Sequence, residues 1–272
     1  MTVVGVEDLV VRYGSTTGVA GVTFAVHPGE MVALVGGDGA GKTSVLRALA
    51  GAVAASRGRV TRPDEHNVGY VPADSGVYRD LTTRENLAFS GAAYGLKKGR
   101  LGQRIEAVLA AMDLRDARHR LAGALSGGMR QKLALGMALV HEPRLLILDE
   151  ATTGVDPVSR AELWRYIARS AADGAALVFA TTYIDEAERA VRVIALDAGR
   201  VLVAGSPNEI VASVPGRLRE VGKRPKEGFA YRKGARFRVW DPSPAESDSI
   251  RPNLQDAVTI AALRARAGRA VA

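Results

Sequence analysis

The chain has 272 residues, 47% hydrophobic and 24% charged, with a net charge of +8 at pH 7 and no cysteine. Such a length can bury one large core, or a core with an appendage, and the composition excludes the disordered and low-complexity classes. The longest notable apolar stretch, Leu133 to Val140, is broken by Gly136 and falls far short of the ~20 residues of a membrane span. With no basic-then-apolar leader and no disulfide framework, the cytoplasm is the expected compartment.

Residues 3 to 13 alternate as a strand (Val4, Val6, then Leu9, Val11) that ends at Tyr13-Gly14, and Val22, Phe24 and Val26 mark a second, ending at His27-Pro28-Gly29. Two roles are open to Tyr13: a core aromatic, or a flat ring at a strand end that suits a purine face. The apolar run Met31 to Val35 leads into Gly36-Gly37-Asp38-Gly39-Ala40-Gly41-Lys42-Thr43, and an apolar-periodic stretch, Ser44 to Ala50, stops at Gly51. This reads strand, glycine-rich loop, helix. Gly36 and Gly41 hold the fixed positions of G-x-x-x-x-G-K-[ST], so the backbone can curl and aim several N–H groups at a phosphate chain. Lys42 would bridge the terminal phosphates, Thr43 would hold Mg²⁺, and the helix opening at Lys42 adds its positive N-terminal dipole. A nucleoside triphosphate is the natural occupant.

Asn67 to Val71 is a short strand ending at Pro72, after which the texture turns helical, giving an inserted helical segment at about 78–143. Within it, Ser126-Gly127-Gly128 precedes a periodic helix (Leu133, Met137, Val140); it is either a second anion-capable helix start or a plain N-cap with a flexible turn. Leu145 to Leu148 is wholly apolar, as a buried parallel strand is, and ends in Asp149 and Glu150, at the strand end where open α/β sheets bind ligands. Beside a phosphate loop, Asp149 is the expected Mg²⁺ partner and Glu150 the expected base for an attacking water. Asp156-Pro157 starts another helix, and Ala175 to Ala180 and Val191 to Leu196 are further strands. Strands and helices alternate, so the fold class is α/β with a mostly parallel core sheet.

These residues resemble the nucleotide-binding subunit of an ABC transporter from about Val4 to Ile210. Four elements stand in the family's order: Gly36 to Thr43, the signature Leu125-Ser126-Gly127-Gly128-Met129-Arg130-Gln131, Leu145 to Glu150, and Gly154-Val155-Asp156-Pro157. Gly69-Tyr70-Val71-Pro72, Leu81 to Leu87 and Asp185-Glu186-Ala187-Glu188-Arg189 look like the drug-export branch. The resemblance implies a phosphate-loop domain at 1–220, with an antiparallel β subdomain and the helical insert, binding ATP and Mg²⁺. It also implies a head-to-tail dimer with a second such domain, identical or different, in which Ser126 and Gly128 meet the γ-phosphate bound on the other subunit. Tyr13 matches the adenine-stacking position, and Ser44, Gly127, Gln131 and Asp156 join the nucleotide-contacting set. Membrane-spanning permease subunits would be driven from the inner face of the cell membrane. A non-transport ATPase of the same family, acting on nucleic acid or as a regulator, is the competing class.

Two family positions differ: Ala73 replaces a glutamine that senses Mg²⁺ and water, and Thr182 replaces a histidine that contacts the γ-phosphate. Ala151 also stands where a proline is usual. Turnover is therefore expected to suffer more than binding.

Residues 221–272 form a basic extension with an expected hairpin, Phe229 to Trp240, and a final helix opening at Asn253. From Arg217 to Arg238 there are nine basic residues against Glu220 and Glu227, so this stretch carries +7 of the chain's +8. Three readings stay open: a solvated or partner-facing extension, attraction to anionic lipid or the membrane subunit, and nucleic acid, the last not expected as a partner.

Overall fold

The computed structural model describes residues 3–225, 229–242 and 249–271. Its strands are β1 (Val4–Tyr13), β2 (Thr16–Val26), β3 (Met31–Val35), β4 (Arg57–Thr61), β5 (Val68–Val71), β6 (Leu145–Asp149), β7 (Ala176–Thr181), β8 (Arg192–Asp197), β9 (Arg200–Gly205), β10 (Arg217–Val221), β11 (Phe229–Lys233) and β12 (Arg236–Asp241). The helices are α1 (Lys42–Ala50), α2 (Thr83–Ala93), α3 (Lys98–Ala111), α4 (Gly127–Leu139), α5 (Pro157–Ala172), α6 (Ile184–Ala187), α7 (Pro207–Ala212) and α8 (Leu254–Val271).

The central sheet has the order β5-β6-β7-β3-β8-β9, parallel throughout except for β9 at one edge. Both of its faces are covered, which is why its strands read as unbroken apolar runs. Val32, Leu34, Leu145, Ile147 and Val178 turn to one side, where α1 and the antiparallel sheet β2-β1-β4 supply Leu46, Leu49, Val6 and Val19. Ala33, Val35, Leu146, Leu148, Leu177 and Phe179 turn to the other, against Leu87 of α2, Val108 of α3, Leu133 of α4 and Leu163 of α5. The expected helical insert is thus the covering layer of that second face. A capping box fixes where it starts: the Thr82 hydroxyl accepts from Glu85 N, while Glu85 accepts from Thr82 N at 2.8 Å.

The appendage is larger than a hairpin. A third strand, β10, completes a sheet of order β10-β12-β11, so a division of the chain after residue 220 falls inside β10. Helix α8 ties this sheet to the body, with Leu254 and Ala257 in the main core and Ile260 against Leu218 and Trp240. Much of the tail's positive charge is internal. Arg217 meets Asp241 at 3.0 Å, Arg238 meets Glu220 at 3.1 Å, and Lys233 and Arg238 both meet the fully buried Asp256. Asp241 and Asp256 lie beyond the stretch whose charge was counted, so the basic stretch is partly neutralised within its own sheet and by α8. Lys223, Arg224, Arg232 and Arg236 remain exposed; Lys226 and Glu227 lie outside the described residues. No helix among the described residues is long and apolar enough to cross a membrane.

Candidate nucleotide-binding site

The loop between β3 and α1 closes on itself through Lys42. The residue is only 5% exposed, and its ammonium donates to the carbonyls of Gly36 at 2.8 Å and Gly37 at 3.2 Å and stands 3.6 Å from Glu150 Oε1. Two glycines are required by space as well as conformation. A Cβ on Gly36 (φ 151°) would lie 2.4 Å from Leu196 O, and one on Gly41 (φ 102°) 2.6 Å from Gly18 O. The loop also leans on the β8–β9 turn, where Gly199 N donates to Ala40 O. Gly37, Asp38 and Gly39 are exposed at its crest, Ala40 is buried beneath, and the first-turn N–H groups of Lys42, Thr43 and Ser44 open toward the same side, as at any helix start.

The end of β6 comes to meet this loop. The Thr43 hydroxyl donates to Asp149 Oδ1 at 3.2 Å. Asp149 is 1% exposed, and burial pushes its carboxyl above the usual carboxylate range, a trend that the Thr43 hydrogen bond opposes. Burial, with the Asp149 charge second, also pushes up the neighbouring Tyr70 hydroxyl on β5. Glu150 has φ 50°, a left-handed conformation that costs a non-glycine residue energy. Its N–H donates to Ala180 O at 3.0 Å, and its carboxylate lies 3.5 Å from Thr153 Oγ1. Among the described residues no cluster of three or more His, Cys, Asp or Glu could hold a metal by itself. Thr43 and Asp149 offer one hydroxyl and one carboxylate, the hard oxygen donors that suit a Mg²⁺ also held by phosphates.

The other expected residues fall into two groups. Tyr13 is 43% exposed, which excludes the core-aromatic role, and its hydroxyl reaches Ser44 Oγ at 3.3 Å, beside the loop. Ser126 caps α4, accepting from Met129 N at 3.3 Å, so the cap reading of Ser126-Gly127-Gly128 holds locally. Gln131 Nε2 donates to Ala151 O at 2.8 Å, next to Glu150, and Asp156 caps α5 by accepting from Val158 N and Ser159 N. The Ser159 hydroxyl first, and then the Ser159 backbone N–H, hold the Asp156 carboxyl below the usual range. A Cβ on Gly128 would lie 2.7 Å from Ser159 Oγ, so the α4 and α5 starts adjoin. α4 packs on β5, three places from β3 in the sheet, and on the face opposite α1. Ala73 and Asp74 are exposed in the loop after β5, and Thr182 is exposed just past β7.

One cluster escaped the sequence reading. Behind Glu150, the buried Glu186 gathers Thr152, Trp164 and Thr181. Asp185-Glu186-Ala187-Glu188-Arg189 stood out only as a likeness to the export branch, and nothing in it says that the second acid faces inward.

A parallel sheet with helices on one face, a β layer on the other, and a glycine loop whose lysine and threonine reach two acids at the next strand end defines a phosphate-loop nucleotide-binding protein. The ABC transporter family model matches residues 19–153. The chain is 38% identical over 209 residues to the probable multidrug ABC transporter ATP-binding protein YbhF of Escherichia coli, which covers 73% of this chain but only 36% of that protein, about a third of its length. It is 35% identical over 212 residues to Nod factor export ATP-binding protein I of Paraburkholderia xenovorans, covering 74% of this chain and 70% of that one. A solved structure described as the ATP-binding subunit of an ABC transporter superposes with a TM-score of 0.71 at 30% identity, covering 78% of this chain and 92% of that one. The chain belongs to the ABC transporter family, as an ATP-binding subunit on its export branch.

Proposed function

We propose that this subunit binds and hydrolyses ATP at a head-to-tail interface with a second domain of its kind, and that the closing and opening of this pair drives export through separate membrane-spanning permease subunits. The observation that carries the reading is the meeting of Lys42, Thr43, Asp149 and Glu150, side chains from two distant stretches of chain, at one strand end. Lys42 would exchange loop carbonyls for the terminal phosphates, and Tyr13 would stack on the adenine. Glu150 would orient the attacking water and take its proton as the bond from the γ-phosphorus to the ADP oxygen breaks. Bound Mg²⁺, held by Thr43 and Asp149, would offset charge on the phosphates. Because α4 lies across the sheet from the phosphate loop, Ser126, Gly127 and Gly128 would serve the nucleotide of the other domain, which makes a lone domain incomplete. Names given to the relatives, for multidrug and Nod factor export, support export as the direction and the inner face of the cell membrane as the place of work.

Ala73 and Thr182 favour a second reading within the first: a slowly hydrolysing subunit that lends its signature to a different, more complete domain. Loss of one preorganised donor costs on the order of 10² to 10³ in rate, while the loop amides and Lys42 still bind. The experiment is steady-state ATPase activity of the purified chain beside its Glu150→Gln variant. Tight binding with little turnover supports the unequal pair. Robust turnover abolished in Glu150→Gln supports a homodimer, and turnover that survives Glu150→Gln rules out the assigned base.

A further inference from the structure

Glu186 lies on the four-residue helix α6 and is 2% exposed. Its Oε1 accepts from Thr152 Oγ1 at 2.6 Å and from Trp164 Nε1 at 3.1 Å, and its Oε2 accepts from Thr181 Oγ1 at 2.7 Å. Thr181 Oγ1 in turn accepts from Tyr183 N at 3.0 Å. The three donors come from the turn after β6, from α5 and from the end of β7. The guanidinium of Arg189 lies over the Trp164 ring, 5.3 Å from its centroid.

We propose that Glu186 is a positioning residue for ATP hydrolysis, fixing the two backbone segments that flank Glu150. Those segments, 150–153 and 180–183, already meet where Glu150 N donates to Ala180 O, and the first is closed on itself by Thr153 N donating to Glu150 O. One bond on one side would let the turn pivot; Glu186 pins it again from below, through Thr152 and Thr181. Glu150 sits in a left-handed conformation that persists only where its surroundings hold it. Stability alone would not select this arrangement, since a buried carboxylate has a desolvation cost that a well-packed apolar residue avoids. Three donors converge on two acceptor oxygens, whereas a glutamine offers only one acceptor oxygen. Thr182, exposed between Thr181 and Tyr183, is placed by the same clamp. So Glu186 joins the turn that carries the proposed base to the segment that faces the phosphate end of the site.

The inference rests on Glu150 acting in hydrolysis, so its test has one arm that reads turnover and one that does not. The chain has two tryptophans, Trp164 and Trp240, and hence two indole N–H signals in a ¹⁵N-labelled sample, assigned with Trp240→Phe. On addition of a non-hydrolysable ATP analogue with Mg²⁺, the Trp164 signal is expected to shift and the Trp240 signal to stay. Glu186→Gln is expected to keep nucleotide affinity and KM, to lose the Trp164 shift, and to lower kcat by about 10- to 100-fold, the size of effect that a small misplacement produces. Thr152→Val and Thr181→Val each remove one donor without touching the acid, and are expected to lower kcat by a smaller factor. They decide the matter if Glu186→Gln does not fold. If the purified parent binds nucleotide with little turnover, as the unequal pair predicts, the Trp164 shift and its loss in Glu186→Gln decide for or against Glu186. A Trp164 signal that ignores nucleotide in the parent, or variants that keep both the shift and kcat, would overturn the proposal.

Discussion

At the carboxyl ends of β3 and β6 the buried charges hold partners they can release, whereas in the appended sheet they hold partners for good. Lys42 rests on two loop carbonyls and a glutamate 3.6 Å away, and Asp149 accepts from the neutral hydroxyl of Thr43. Asp256, by contrast, accepts from Tyr231, Arg238 and Asn253 N, with Lys233 at 3.6 Å, and closes a capping box in which its own N–H donates to Asn253 Oδ1. Burial, and then Asp256, push the Tyr231 hydroxyl far above the usual range. A charge with loose partners waits for a ligand; one with complete partners holds a fold together. The contrast separates binding from stability, and substitutions on the two sides should separate them too.

The largest effect is expected at the closed end. Asp256→Asn removes the buried counter-ion from Lys233 and leaves Arg238 with Glu220 alone, and should destabilise the appended sheet and α8 by about 3–5 kcal/mol, read by thermal or urea unfolding. ATP affinity of the folded variant should not change; a parallel loss of binding would join the two regions that the comparison separates. Next comes Lys42→Ala, expected to weaken ATP by about 2–4 kcal/mol, or 30- to 1,000-fold, with the fold intact. Tyr13→Ala follows, at about 1–3 kcal/mol of lost stacking, and should narrow the preference for ATP over inorganic triphosphate, measured by competition.

The smallest effect carries a sign. Burial raises the Asp149 carboxyl, so the folded state holds its proton more tightly than the unfolded chain does. Its contribution to stability is therefore greatest when protonated and falls as pH rises through the unfolded and then the folded pKa. Over the same window the ionised form that Mg²⁺ requires appears, so Mg²⁺-dependent affinity should rise with pH. Asp149→Asn cannot ionise; it should raise the nucleotide-free melting temperature at pH 8 by about 2–4 °C, the size of ~1 kcal/mol in a chain of this length, and remove the Mg²⁺ dependence. A lower melting temperature would mean that Asp149 is held as tightly as Asp256.

Much of the core was legible because its signals are local. Leu145 to Leu148 is apolar throughout since both faces of β6 are covered, and Gly36, Gly41, Lys42 and Thr43 occupy fixed positions because phosphate geometry allows few others. What was not legible depended on the distant partner. β10 reads as a charged stretch, Arg217-Leu218-Arg219-Glu220-Val221, because only Leu218 faces inward and its charges are matched by Asp241 and Arg238 across the sheet. Tyr13 could not be placed by alternation alone; its exposure and its contact with Ser44 take it out of the core and set it beside the loop. Glu186 reads as one more helical acid, and its role depends on three donors brought in by two strand ends and a helix.

The central claim is that the loop at Gly36 to Thr43 is a receptive site completed by a nucleotide and Mg²⁺. Calorimetric titration of the purified chain with ATP, with and without Mg²⁺, tests it most directly. One nucleotide per chain, bound more tightly with Mg²⁺ and increasingly so as pH rises, is the predicted result. No binding, or binding indifferent to both Mg²⁺ and Lys42→Ala, would contradict it.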